Sequence, residues 1–264
     1  MPDCSSGSSC HESGTGSLFT KERSLRERSW ERALLVLKKM MMKKAMILAA
    51  GLGNRMRPLT DHKPKPLLEV AGKPLIVYQI EKLAAAGFEE IIINIAHLGF
   101  MIPEALGDGS KWGVKITYSD EQEEGALESA GGIVKALPLL GNEPFLVVNG
   151  DVWCDYRFDA NFDLKGDLAH LILVNNPEHN RKGDFALEKG RLFNAGNAQF
   201  TFSGIGYYSP RLFEKLHYGK SPLAPLLREA IANDKVGGEL YKGEWRDIGT
   251  PERLAEVNES CRNH

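Results

Sequence analysis

An apolar run that ends abruptly at two spaced glycines is the feature that most constrains this chain. Residues 44–66 read KAMILAAGLGNRMRPLTDHKPKP. Ala45 to Ala50 is short and continuously apolar, the signature of a buried strand. Gly51 and Gly53 follow at once, then three cations, Arg55, Arg57 and Lys65, threaded between prolines. Glycines at a strand end let backbone N–H groups approach an anion, because no Cβ stands in the way. The cations put positive charge around the same point. A polyanion such as a nucleoside triphosphate is the ligand that most needs this combination. The backbone of Ala49, Ala50, Gly51, Gly53 and Asn54 is therefore the expected nucleotide cradle.

Beyond that loop, strand and helix signals alternate. Helical spacing over 74–86 places Ile76, Ile80 and Leu83 on one face, with Gly87 as the stop. Strands are expected over 90–95, 114–118 and 143–149, and helices over 99–106 and within 127–140. The second half is more mixed. It has strand signals at 169–174, 200–208 and 245–248, a hairpin around Lys189-Gly190, and a helix over 222–232. A final helix starts at Pro251 with Thr250 as its N-cap. This order predicts an α/β fold, a Rossmann-like, mostly parallel sheet sandwiched by helices, with a mixed C-terminal part. Ligands of such sheets bind where the strands' C-terminal ends meet. The 51–65 loop and Asp151, which follows Val147-Val148-Asn149-Gly150, both fall at such ends and are expected to meet in space.

Asp151 alone could be a turn aspartate, but a second one, Asp247, also closes a strand signal. Magnesium bound with phosphates uses one or two carboxylates plus substrate oxygens and water. Asp151 and Asp247 are the expected pair, Mg²⁺ the expected ion. Arg55 offers a planar fork of donors to a triphosphate, and Lys65 a point charge to a phosphoryl oxygen. No Ser-His-Asp or Cys-His constellation stands out. Transfer of a phosphorus group by positioning and charge neutralisation needs none.

The pattern G-x-G-x-R-x-R-P-L-T-x-x-x-P-K, from Gly51 to Lys65, matches neither the P-loop nor the dinucleotide fingerprint, since Met56 stands where a third glycine should be. It resembles the signature of sugar-1-phosphate nucleotidyltransferases. That resemblance implies a GT-A-like version of the α/β fold, a nucleoside triphosphate and a sugar 1-phosphate as partners, and Mg²⁺ held by Asp151 and Asp247. It makes Arg55 and Lys65 the catalytic cations. It sets the 127–132 segment, with Gly131 and Gly132, against the nucleobase, and turns Asn149, Asp184 and Ser203 toward the sugar phosphate. The runs LESAGGIVKALPLLG, VNGDVW and GDF are most similar to a subgroup of uridylyltransferases acting on N-acetylmuramic acid 1-phosphate in bacterial cell-wall recycling. UTP is then the expected nucleotide. Guanylyltransferases for mannose 1-phosphate, thymidylyltransferases for glucose 1-phosphate and a non-catalytic nucleotide sensor are the alternatives. One departure from the family pattern is an acidic segment, Glu121 to Gly125, ahead of the base loop.

Composition bounds the rest. A formal net charge of −2 leaves no electrostatic footprint for nucleic acid or an anionic membrane surface. No apolar run approaches the roughly 20 residues needed to span a bilayer. Cys4, Cys10, Cys154 and Cys261 lack metal spacing, so free thiols in a cytoplasmic protein are expected. Residues 1–43 are expected to be a disordered or non-native extension, with 44–264 as the nucleotidyltransferase domain.

Overall fold

The first strand, β1 (Lys44–Leu48), already shows how the sheet is sandwiched. Ala45 and Ile47 pack into one core cluster and Met46 into another. Side chains alternate across a strand with period two, so a strand continuously apolar from Ala45 to Leu48 must be buried on both faces. The structure is a computed structural model and describes residues 42–262. The N-terminal extension, with Cys4 and Cys10, thus lies almost wholly outside the described residues. Met42 is the first of them. It is buried, and its N–H is donated to the carbonyl of Ala160 at 2.6 Å.

After β1 come a small antiparallel pair, β2 (Glu69–Val70) and β3 (Lys73–Pro74), and helix α1 (Leu75–Ala85). Then follow β4 (Glu90–Ile95), α2 (Met101–Leu106), β5 (Lys115–Asp120), α3 (Glu128–Leu140), β6 (Phe145–Asn149) and β7 (Val152–Cys154). The second half holds β8 (Ala169–Val174), β9 (Phe185–Glu188), β10 (Arg191–Phe193) and β11 (Gln199–Tyr208). It closes with α4 (Leu223–Ala232), β12 (Val236–Leu240), β13 (Trp245–Asp247) and α5 (Pro251–Arg262). On one face, Ile76, Ile80 and Leu83 of α1 pack with Ile47, Ile91, Ile93 and Val148. On the other, Ile133 and Ala136 of α3 and Leu227 and Ile231 of α4 pack with Met46, Ile92, Val147 and Leu171.

The main sheet has nine strands in the order β5-β4-β1-β6-β11-β8-β12-β10-β9. Its first four are parallel, as expected from the alternation. The expectation of a mostly parallel, Rossmann-like sheet does not hold for the whole. Strand β11 runs antiparallel between β6 and β8, and only β12 against β8 restores a parallel pair beyond it. The sheet is mixed, because β8 and β11 pair without the crossover helix that parallel neighbours require. Where β11 passes from β8, its register shifts between Phe202 and Ile205, a β-bulge at Ser203-Gly204. The hairpin β9–β10 turns on Lys189 and Gly190, both at positive φ, as a two-residue connection demands.

Candidate active site

The chain leaves β1 at Leu48 and crosses the parallel strand ends as a loop. The Ala49 N–H is donated to Asn94 Oδ1 at 2.8 Å, which fixes the loop's first residue. Gly53 takes a left-handed φ of 66°, and a Cβ there would stand 2.9 Å from Thr60 Cγ2. Thr60 Oγ1 in turn donates to the Gly53 carbonyl at 2.9 Å. The motif threonine therefore shapes the glycine turn. Asn54–Met56 form one turn of 3-10 helix whose Met56 is fully buried with Leu68, Leu75 and Ile248. With Met56 plugged inward, Asn54 and Arg55 face out of the protein.

Asp151 reaches the same rim from β6. Gly150 donates its N–H to the Leu48 carbonyl at 2.9 Å, and a Cβ at Gly150 would come within 2.9 Å of that oxygen. Only glycine lets the two strand ends touch there. Lys65, at the start of a 3-10 turn, then places Nζ 2.5 Å from Asp151 Oδ2. The pair is sheltered, with side-chain exposures of 12% and 29%. Asp151 Oδ1 accepts no hydrogen bond among the described residues.

Asp247 arrives through a second small ladder. β13 pairs antiparallel with β7, which sets Asp247 opposite Val152, and the Ile248 N–H is donated to the Asp151 carbonyl at 2.9 Å. Its carboxylate is held from both sides, by Arg253 NH1 at 2.6 Å on Oδ2 and by His179 Nε2 at 3.1 Å on Oδ1. Arg253 sits in α5, whose start is capped by Thr250 Oγ1, 3.5 Å from the Arg253 N–H that donates to it. Gly249 lies between Asp247 and the loop, since a Cβ there would meet Asp247 Oδ2 at 2.9 Å and Arg55 NH1 at 3.4 Å.

A cleft of about 450 Å³ opens over these groups. Its walls are residues 48–56, Lys65, Pro66, Asn149–Asp151, Gly249 and, opposite, Asn94, Glu121, Ala126, Glu128 and Ser129. It thus gathers Ala49, Ala50, Gly51, Gly53, Asn54, Arg55, Lys65, Asn149 and Asp151 from the residues singled out in the sequence. Asp247 borders it through Gly249.

Four expected contact residues lie outside the cleft walls. Gly131 and Gly132 are buried within α3. The Gly131 N–H is donated to the Ser221 carbonyl at 3.1 Å, and a Cβ at Gly132 would strike Glu121 Oε1 at 2.7 Å. Their missing side chains serve close packing. Asp184 Oδ2 accepts the Phe202 N–H at 2.8 Å and the Asn180 Nδ2 at 3.2 Å. Ser203 is buried at the bulge, where its Oγ accepts the Ile205 N–H at 3.2 Å. Both side chains accept a backbone N–H of β11.

A family model for nucleotidyl transferases matches residues 44–185, the loop, the base-side segment and Asp151 included. The chain belongs to the nucleotidyl transferase family. An N-acetylmuramate alpha-1-phosphate uridylyltransferase of Neisseria meningitidis serogroup B is 53% identical over 224 residues, spanning 81% of this chain and 96% of the relative. The enzyme of the same name from Caulobacter vibrioides is 34% identical over 236 residues, 81% of this chain and 97% of its own length. A mannose-1-phosphate guanyltransferase beta-A of Xenopus laevis shares 30% over 226 residues but is covered only to 61%. Among solved structures, one from Bacillus anthracis described as a glucose-1-phosphate thymidylyltransferase superposes with a TM-score of 0.73. It covers 84% of this chain and 96% of its own, and at 23% identity it speaks for the fold alone.

Family membership makes the protein an enzyme of nucleotidyl transfer, and the site shows what the motifs did not. His179, Arg253, Asn94 and Glu121 carried no motif. The acidic segment that departs from the family pattern divides in two. Glu121 turns inward, wholly buried, and Glu124 turns outward to Lys135 and Tyr218. Those hydrogen bonds, Lys135 first, hold the Glu124 carboxyl down to about 2. Glu121 is met by the Asn94 amide and the Leu127 N–H, and Glu124 by Lys135 and Tyr218.

Two carboxylates at adjacent strand ends suit an ion that completes its shell with substrate phosphates and water. Among the described residues no group of three or more His, Cys, Asp or Glu could hold a metal by itself. The donor set fits Mg²⁺ carried in with a nucleotide better than a resident all-protein site.

Proposed function

We propose that the protein transfers UMP from UTP to N-acetylmuramic acid α-1-phosphate, giving UDP-N-acetylmuramic acid and pyrophosphate. The observation that carries this reading is 53% identity with the meningococcal uridylyltransferase across 96% of its length. The Lys65–Asp151 pair beside a glycine loop supports the reaction type. In this reading the backbone N–H groups from Ala49 to Gly53 receive the triphosphate, and Arg55 neutralises charge gathering on the departing pyrophosphate. Lys65 leaves Asp151 for a phosphoryl oxygen near the reacting phosphorus, and Asn149 stands on the sugar-phosphate side. Asp151 and Asp247 would hold Mg²⁺, which when bound would supply Lewis-acid neutralisation of the phosphates. The sugar phosphate oxygen is the nucleophile and the chain supplies none.

Pyrophosphate release, measured over a small matrix of nucleoside triphosphates and sugar 1-phosphates with and without Mg²⁺, tests it. Metal-dependent release with UTP and N-acetylmuramic acid 1-phosphate is expected. Release with a different pair would replace the substrates and keep the mechanism.

A further inference from the structure

Three hydrogen bonds run behind the cleft and join its two walls. The Ala49 N–H donates to Asn94 Oδ1 at 2.8 Å, and Asn94 Nδ2 donates to Glu121 Oε1 at 2.8 Å. From the other side the Leu127 N–H donates to Glu121 Oε2 at 2.9 Å. Asn94 is 3% exposed and Glu121 not at all. No cation is within ion-pair reach of Glu121 among the described residues. A buried carboxylate without a counter-ion persists only when its oxygens are well supplied with donors.

The polarity of this chain of bonds is forced from both ends. A backbone N–H can only donate, so Asn94 must present its oxygen to Ala49 and its NH₂ to residue 121. Leu127 likewise requires an acceptor. Residue 121 therefore faces two donors, and only a carboxylate accepts from both. A glutamine of the same shape would set its own NH₂ against one of them.

We propose that Glu121 and Asn94 are positioning residues that hold the phosphate-side loop and the base-side turn of the cleft in one register. The proposal rests on reading the cleft as the nucleotide site. Ala49 lies near the start of the wall of residues 48–56. Leu127 ends the turn that presents Ala126, Glu128 and Ser129 to the opposite wall. Glu128 itself holds a left-handed backbone, φ 63°, a conformation that needs support from its surroundings. Helix α3 closes on the relay so tightly that Gly132 has no room for a Cβ against either Glu121 Oε1 or Asn94 Nδ2. A nucleotide that touches both walls would sense any change in their spacing.

The same polarity supplies a rescue. Glu121→Gln alone opposes donor to donor, and Asn94→Asp alone opposes carboxylate to carboxylate. Together they restore a complete chain, with the negative charge moved to position 94 and the amide at 121 donating to it. The experiment measures kcat and KM for each substrate, UTP binding by calorimetry with Mg²⁺, and melting temperature for the full chain and these three variants. Glu121→Gln is expected to raise the KM for UTP about tenfold, the effect of one unsatisfied buried donor, with kcat changed less. Asn94→Asp is expected to be worse, and the double variant to return to within about threefold of the unmodified protein in KM and to recover most of the lost melting temperature. An unchanged KM for UTP in Glu121→Gln, even with a lowered melting temperature, would overturn the proposal by leaving only a structural role. So would a double variant no better than the worse single one. If Asn94→Asp fails to fold, folding of the double variant is itself the rescue. Melting temperatures trace the cycle without substrate, so failure of UTP as substrate and failure of the relay are separate results.

Discussion

Lys65 Nζ lies 2.5 Å from Asp151 Oδ2, although 86 positions separate the two residues in the chain. In the proposed reaction each would be wanted elsewhere, the ammonium by a phosphoryl oxygen and the carboxylate by a metal ion. Here they pair with one another in a sheltered spot where either alone would be costly. Asp151→Asn keeps the shape and removes the charge. Turnover is expected to fall by roughly two to three orders of magnitude while the melting temperature moves by only a few degrees. Pyrophosphate release and a thermal melt on the same preparation decide it, and retained activity would remove Asp151 from the metal site.

His179 and Arg253 hold the two oxygens of Asp247 at 3.1 and 2.6 Å. Groups that orient a ligand typically change metal affinity by about ten- to a hundredfold when lost. His179→Ala is therefore expected to raise the Mg²⁺ concentration for half-maximal rate by about tenfold, with little change at saturating metal. A magnesium titration of the rate measures this. An unaltered midpoint would make the His179 contact incidental, and chelation that left the unmodified enzyme active would remove the metal from the mechanism altogether.

The parts of the site that could be read in the sequence are those whose chemistry is local. The glycine turn, its cations, the Asp after an apolar strand and the Thr250-Pro251 helix start each carry their cause within a few residues. The parts that could not be read depend on pairing across the chain. Strand β11 is evident as FTFSGIGYY, but nothing in those residues says that it runs antiparallel between β6 and β8. Strand β12 was hidden because VGGEL has two glycines at its centre, where propensity argues against a strand. Those glycines answer to neighbours: a Cβ at Gly237 would meet His170 Nδ1 at 2.8 Å, and one at Gly238 would meet Leu192 Cδ2 at 2.9 Å. In the sequence Glu121 is only the first residue of an acidic segment, because its two donors, Asn94 and Leu127, are assigned to it only by the fold.

Met56 occupies the place where a dinucleotide-binding loop would have its third glycine, and it is fully buried. Its side chain anchors the turn that carries Asn54 and Arg55. Met56→Ala is expected to cost about 2–5 kcal/mol of stability through the cavity left behind. It should also raise the KM for the nucleoside triphosphate more than that for the sugar phosphate. Denaturant melts and separate Michaelis curves test the two halves, and equal effects on both substrates would contradict the anchoring role.

Gly204 sits in the β11 bulge with φ 81°, and a Cβ there would lie 2.6 Å from Asn149 Nδ2. Gly204→Ala combines a strained backbone with overpacking against a cleft residue. The expected loss is about 2–4 kcal/mol, together with displacement of Asn149. A variant that melts like the unmodified protein would mean that the bulge can relax away from β6.

Glu124 offers a test in pH. Hydrogen bonds from Lys135 and then Tyr218 hold its carboxyl at about 2, against an ordinary value of 4.5. A depressed carboxyl contributes stability that is fully present above the unfolded value and disappears as pH falls through the folded one. The difference in melting temperature between the unmodified protein and Glu124→Gln should therefore be constant from pH 7 down to about 5. It should then narrow steadily as the pH approaches about 2. Because Glu124 is exposed, the same difference should shrink in high salt at neutral pH. A gap that widened on acidification would mean that the contacts to Lys135 and Tyr218 do not hold in solution.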